Sequence, residues 1–294
     1  MKLLRYVENE NNTWKGAEFM EERAREQRTS SKLDILWVIV KAFVGFSFIR
    51  VITRGIKLFP GIYGEAFSVV LFTYWIFQNF KKSAQNEGFT LKDCRVTKPS
   101  ISWRDIVFVL GFLSIHYGIM SLAAERVVYT GQSIWEIISL SISEILQSGI
   151  GSGINEELVV RGYLLKVLEE KIGITKAIIY SSVGFGLIHI LNGNMTMWMM
   201  FWIAVGAGSL GAMFAVLTYE TGSIWRAVLA HACVNLSNLI IDYENGNCLF
   251  IIDLPDGVTN ELVFCMSYAV ISSLCMVVIF AYWIRRRKMD IEKL

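Results

Sequence analysis

Three short stretches of this 294-residue chain combine residue types that can activate water and hold an oxyanion. The first reads Asn155-Glu156-Glu157-Leu158-Val159-Val160-Arg161-Gly162. Glu157 and Arg161 stand four apart, so on a helix they share a face and can pair. Glu156 points about 100° away from Glu157 and is left without that partner. Two adjacent carboxylates, one neutralised and one not, separate a general base from a structural group. The second stretch is Phe185-Gly186-Leu187-Ile188-His189, and the third is His231-Ala232-Cys233-Val234-Asn235, with His231 and Asn235 on one face. Read as chemistry, Glu156 takes a proton from water with help from His189. His231 and Asn235 then donate hydrogen bonds to the oxyanion of a tetrahedral intermediate, where removing one donor typically costs ~3 kcal/mol. Two histidines and a glutamate are also a His₂Glu zinc set, so spacing alone leaves zinc open. No serine–histidine–acid or cysteine–histidine triad is readable at helical spacing.

The elements that must position these residues are membrane helices. Apolar and aromatic residues make up 54% of the chain, charged residues 18%, and mean hydropathy is +0.46. Soluble domains carry about 25% charge and cannot hide this much apolar surface. Disorder, collagen-like repeats and a disulfide-stapled fold are excluded. The five cysteines are scattered and form no C-x-x-C pair, so they read as apolar fillers. No basic patch interleaved with aromatics supports nucleic-acid binding.

Stretches long enough to cross a ~30 Å core lie at about 35–53, 58–80, 104–123, 134–157, 174–191, 196–219, 223–242 and 262–284. With the N-terminus in the cytosol, 22 of the 28 Lys and Arg fall in inside segments and three (Arg54, Lys57, Arg126) outside. That asymmetry predicts an all-α bundle of about eight transmembrane helices with both ends cytosolic. Residues 1–34 read as a polar cytosolic segment without a signal-peptide core. Residues 35–284 read as one helical domain with its catalytic core at about 134–242, and 285–294 as a basic tail. Gly149, Gly151 and Gly153 are a place where the fourth span could split in two. Small residues at four-residue spacing (Ala204/Gly208/Ala212 and Ala207/Gly211) read as close helix packing. The short segments 124–133 and 243–261 read as loops.

Ionisable residues within spans are functional hypotheses by default. Arg50 and Arg226 lie near span ends and can snorkel, and Glu136 lies near an interface. Lys41, Glu65 and Glu144 are ambiguous. A lone membrane histidine is more often packed or hydrogen-bonded for structure, and His116 is assigned there. Any one of the three constellations is explained by interhelical hydrogen bonds worth about 0.6 kcal/mol each. Three together, in three spans, favour function. At 1.5 Å per residue, Glu156 lies roughly 22 Å from Lys171, with His189, His231 and Asn235 at depths that permit one shared site.

E-E-x-x-x-R, F-x-x-x-H and H-x-x-x-N on successive membrane helices resemble the CAAX protease and bacteriocin-processing family. Its eukaryotic member is the type II CAAX prenyl endopeptidase, the Ras-converting enzyme. The stretch Glu156–Leu165, with Gly162 and Tyr163, resembles the family's extended first motif, and the resemblance covers about 134–242. It implies a membrane-embedded glutamate-dependent endopeptidase of eight helices with a site opening toward the cytosol. Glu156 and His189 would activate water, and His231 and Asn235 would form the oxyanion hole. Glu157 and Arg161, with Phe185, would hold the site in shape. The family's glutamate mechanism needs no metal, so no cofactor is expected, zinc remaining the alternative.

The expected partners are the lipid bilayer and a peptide or protein substrate in or at the membrane, lipidated or not. A compact chain of this kind points to a bacterial plasma membrane. There, a bacteriocin or signalling-peptide precursor is a more natural substrate than a prenylated C-terminus. The competing non-enzymatic reading is a bacteriocin self-immunity or scaffold protein acting by partner binding. Transport has least support, because no internal repeat is visible.

Overall fold

The computed structural model describes residues 32–55, 62–99, 101–191, 195–240 and 248–291. Most of the expected polar N-terminal segment, 1–31, and the end of the tail, 292–294, lie outside the described residues. The chain is built from α1 (Lys32–Gly55), α2 (Ile62–Asn86), α3 (Trp103–Ala123), α4 (Ile134–Ile172), α5 (Ile174–His189), α6 (Met197–Thr221), α7 (Trp225–Leu236) and α8 (Asn260–Ile291). These fall where the hydropathy pattern places spans. Among the described residues four stretches are long and apolar enough to cross a membrane: α3, α4, α6 and Leu262–Arg286 of α8. The expected spans at 174–191 and 223–242 are shorter than anticipated. At 1.5 Å per residue α5 and α7 measure about 24 Å and 18 Å, less than a hydrocarbon core.

The expected loops at 124–133 and 243–261 are not wholly irregular. Strands β1 (Arg126–Tyr129) and β2 (Phe250–Asp253) pair antiparallel, Arg126 opposite Asp253 and Tyr129 opposite Phe250. Arg126 Nη2 donates to Asp253 Oδ2 at 2.8 Å, which puts these two segments on one side of the bundle. None of the five cysteines is in a disulfide. Burial pushes the Cys94 thiol up to about 11, in keeping with an inert filler.

The three glycines of the fourth span do not split it. Ile134–Ile172 is one helix, opened by a capping box in which Ser133 N donates to Glu136 Oε2 (2.7 Å) and Glu136 N to Ser133 Oγ (3.3 Å). Where the glycines lie the helix widens to π geometry over Ile145–Ile154. A short α turn at Asn155–Glu157 follows, then a second π segment over Leu158–Leu164. The physical reason is packing. A Cβ on Gly153 would sit 3.5 Å from the Ala232 backbone nitrogen, and one on Gly149 would touch Leu236. The glycine face therefore receives α7 closely.

Helices in lipid gain little from apolar burial itself, so close van der Waals packing must hold them. Gly186 of α5 shows how close. A Cβ there would lie 2.4 Å from the Ala204 carbonyl oxygen and 3.1 Å from Gly208 Cα. Gly186→Ala should therefore cost about 1–3 kcal/mol by overpacking, read as a lowered thermal unfolding temperature in detergent. Gly118→Ala, whose added Cβ meets nothing within 4 Å, should leave that temperature unchanged.

Candidate active site

Arg161 is the centre from which the site is assembled. Its guanidinium is about 1% exposed and lies 4.2 Å from the Phe185 ring centroid and 5.5 Å from that of Phe214. Nη1 donates to Glu157 Oε1 (3.2 Å) and Nη2 to the Gly211 carbonyl (3.1 Å). The sequence-read pairing of Glu157 with Arg161 is thus present. Phe185 earns its supporting role as the aromatic floor beneath the cation.

His231 joins the two carboxylates. Its Nδ1 is 2.8 Å from Glu157 Oε1, and its Nε2 is 3.6 Å from Glu156 Oε2. Because the Arg161-paired carboxylate is an acceptor, Nδ1 carries a proton and donates it to Glu157. The expectation that Glu156 stands without a partner needs correcting, since the third motif brings an imidazole toward it. Glu156 is buried, and it reaches the neighbouring cavity by way of His231.

That cavity, about 260 Å³, is lined by His189, His231 and Asn235 among others. His189 Nδ1 lies 2.7 Å from the Phe185 carbonyl. A carbonyl only accepts, so Nδ1 carries the proton and the neutral ring keeps its lone pair on Nε2. Asn235 Nδ2 donates one hydrogen to the Ser148 carbonyl at 3.1 Å, which leaves its second amide hydrogen for the cavity. The structure therefore brings the second and third motifs to one cavity, with the first motif behind His231. Among the described residues no group of three or more His, Cys, Asp and Glu side chains is placed to hold a metal ion.

Several contributors were not singled out in the sequence. Phe214 of α6 stacks on His231 at 5.7 Å. Gly211 leaves room for the cation, since a Cβ there would lie 3.1 Å from Arg161 Nη2 and 3.2 Å from Phe185. The Ala207/Gly211 spacing was a visible signal for it, read only as bundle packing. His116 of α3, assigned to structure, does bond to Ser267, yet it also lines the cavity beside Tyr268 of α8. Two of the other polar span residues, Glu65 and Arg226, have partners on other helices. Ser143 donates to Glu65 Oε2 (2.8 Å), and Arg226 pairs with Asp105 (3.2 Å) rather than snorkelling alone.

The fold and site define a helical membrane protein with a buried glutamate–histidine centre beside a cavity. Residues 137–237 match the family described as Rce1-like, type II CAAX prenyl endopeptidase Rce1-like. The resemblance read from the three motifs is thereby borne out. No curated protein matches the chain. The match supports a peptidase or hydrolase class of activity and points to a membrane-associated protein substrate.

Removing one partner of a buried ion pair strands the other charge. Arg161→Ala should cost roughly 3–5 kcal/mol, measured by denaturation in detergent. Glu157→Gln combined with Arg161→Met should cost less than the two single changes added together.

Proposed function

We propose that the protein is an intramembrane endopeptidase that cleaves a peptide bond of a membrane-associated or lipidated substrate with glutamate-activated water. The observation that carries this reading is the 3.6 Å approach of Glu156 to Nε2 of His231, which itself lines a cavity with His189 and Asn235. In this mechanism Glu156 is the general base, and His189, with its lone pair on Nε2, orients the water. Attack on the scissile carbonyl builds an oxyanion, which Asn235 meets with its second amide hydrogen.

His231, whose Nδ1–H is held by Glu157, contributes the second oxyanion donor when its Nε2 carries a hydrogen. Collapse of the intermediate breaks the C–N bond, and the proton held by Glu156 passes to the leaving amine. Glu157, Arg161 and Phe185 position this machinery without touching the reacting atoms. The reaction needs no metal in this scheme.

The topology we propose has eight membrane elements with both termini in the cytosol, where most of the Lys and Arg lie. Residues 35–284 form the membrane domain, and the site opens to the cytosolic side of a bacterial plasma membrane. The substrate class is a peptide precursor or a CAAX-type C-terminus.

Glu156→Ala, His189→Ala and His231→Ala should each abolish cleavage while membrane levels of folded protein stay near wild type. The check is mass spectrometry of released and membrane-bound peptides from a deletion host expressing wild type or Glu156→Ala. Peptides that need the glutamate identify the cleavage. Identical profiles, with both proteins rescuing the deletion phenotype, favour a binding or immunity role instead. A second expectation is that exhaustive chelation leaves turnover unchanged; loss of turnover restored by Zn²⁺ would overturn metal independence.

A further inference from the structure

His116 lies on α3, outside the matched segment and outside all three motifs, yet its ring is about 2% exposed and lines the cavity with His189, His231 and Asn235. Its Nδ1 is 3.1 Å from Ser267 Oγ on α8, and that hydroxyl is itself 3.1 Å from the Phe264 carbonyl one helical turn back. Ser267 has one proton to give, and the carbonyl can only accept. The hydroxyl therefore donates to Phe264, as serines in membrane helices commonly do toward their own backbone. Its oxygen then receives the Nδ1–H of His116. This relay fixes the tautomer and leaves the lone pair on Nε2.

Nε2 is buried and has no hydrogen-bond partner among the described residues. The groups packed around it are rings: Phe112, Tyr117, Phe264 and Tyr268, with centroids 5.0–6.4 Å away. Those rings hold the imidazole without supplying the proton that its acceptor lacks. A buried acceptor of this kind is costly until a donor reaches it. A peptide in the cavity brings such donors, because each residue offers an N–H beside the C=O that the oxyanion donors seek.

We infer that His116 is a substrate-positioning residue whose Nε2 accepts a hydrogen bond from a backbone N–H of the peptide being cleaved. The inference rests on the endopeptidase function proposed above and adds a fixed acceptor, held by Ser267, to its donors. His116 sets where the peptide lies and takes no part in proton transfer.

The probe is a farnesylated CAAX-type peptide carrying a fluorophore and quencher across its cleavable bond, assayed in detergent with full-length protein. Wild type, Glu156→Ala, His116→Phe and His116→Gln are compared. His116→Phe keeps the aromatic packing but loses the acceptor. It should raise KM about five- to tenfold, the loss of one neutral hydrogen bond, with kcat within twofold and the unfolding temperature unchanged. His116→Gln, which restores an acceptor oxygen, should recover much of that loss. Peptides with successive amides near the scissile bond replaced by esters supply the reading that a structural role would not move. At one position the ester should penalise wild type five- to tenfold and His116→Phe not at all.

Wild-type KM in His116→Phe, or equal ester penalties in both proteins at every position, overturns the role of His116 while leaving the endopeptidase intact. Cleavage by Glu156→Ala at the wild-type rate overturns the glutamate-dependent endopeptidase reading and this inference together.

Discussion

A guanidinium and a carboxylate buried within a membrane bundle constrain everything around them. Arg161 and Glu157 are each at most about 1% exposed, and taking such charges out of water costs several kcal/mol per ion unless partners repay it. The repayment comes from four helices. Within α4 the two side chains pair at i and i+4; α5 supplies Phe185 beneath the cation. A carbonyl at Gly211 and the ring of Phe214 come from α6, and the imidazole of His231 from α7. Satisfying Arg161 thus fixes the relative placement of the elements that carry all three motifs. The ion pair is less a source of net stability than a device that permits one arrangement of helices.

The unusual backbone of α4 belongs to the same constraint. Two π segments flank the single α turn that holds Asn155, Glu156 and Glu157. Such wide turns are uncommon and often mark functional positions. Here Asn155 Nδ2 donates to the Gly151 carbonyl at 2.6 Å and reaches Thr73 Oγ1 on α2 at 3.3 Å, so a side chain supports backbone in the widened stretch. Glycines on the outside of the same stretch admit α7. Widening and close approach together carry His231 to within reach of both carboxylates.

The sequence made the chemistry more legible than the architecture. Charged and amide residues stand out against an apolar background, so Glu156, Glu157, Arg161, His189, His231 and Asn235 were identifiable by type and spacing. The i,i+4 rule correctly paired Glu157 with Arg161. It could not reveal that His231 bridges to Glu156, because that contact spans 75 positions and depends on how α7 docks. Apolar contributors were invisible for a different reason. Phe214 resembles any other bundle aromatic, and Gly211 any other small packing residue. Hydropathy located the helices well, but it could not tell a crossing helix from a short one. The shortness of α5 and α7 depends on where turns fall, and the pairing of β1 with β2 on contacts between distant segments. The three glycines of α4 read as a place where the helix could break, and only the packing of Ala232 against Gly153 shows them to be a docking face.

Because α7 is only 12 residues long, its anchoring decides where His231 lies, and that anchoring comes from a polar segment outside the helices. Arg95, held at a positive φ of 58°, offers its carbonyl to Ile224 N at 3.0 Å. Its side chain pairs with Glu169 near the end of α4 at 2.6 Å. Two residues further on, the Thr97 carbonyl accepts from the indole of Trp225, and the Thr97 hydroxyl donates to Ser223 Oγ. The segment thus joins the end of α4 to the start of α7. From Trp225 to His231 is six residues, about 9 Å along a helix. Over so short a lever there is little room for slip, so the junction around Arg95 and Thr97 sets the depth at which the imidazole meets Glu157. The first 130 residues carry none of the three motifs, yet through this segment and through α3 they help determine whether the motifs can act together.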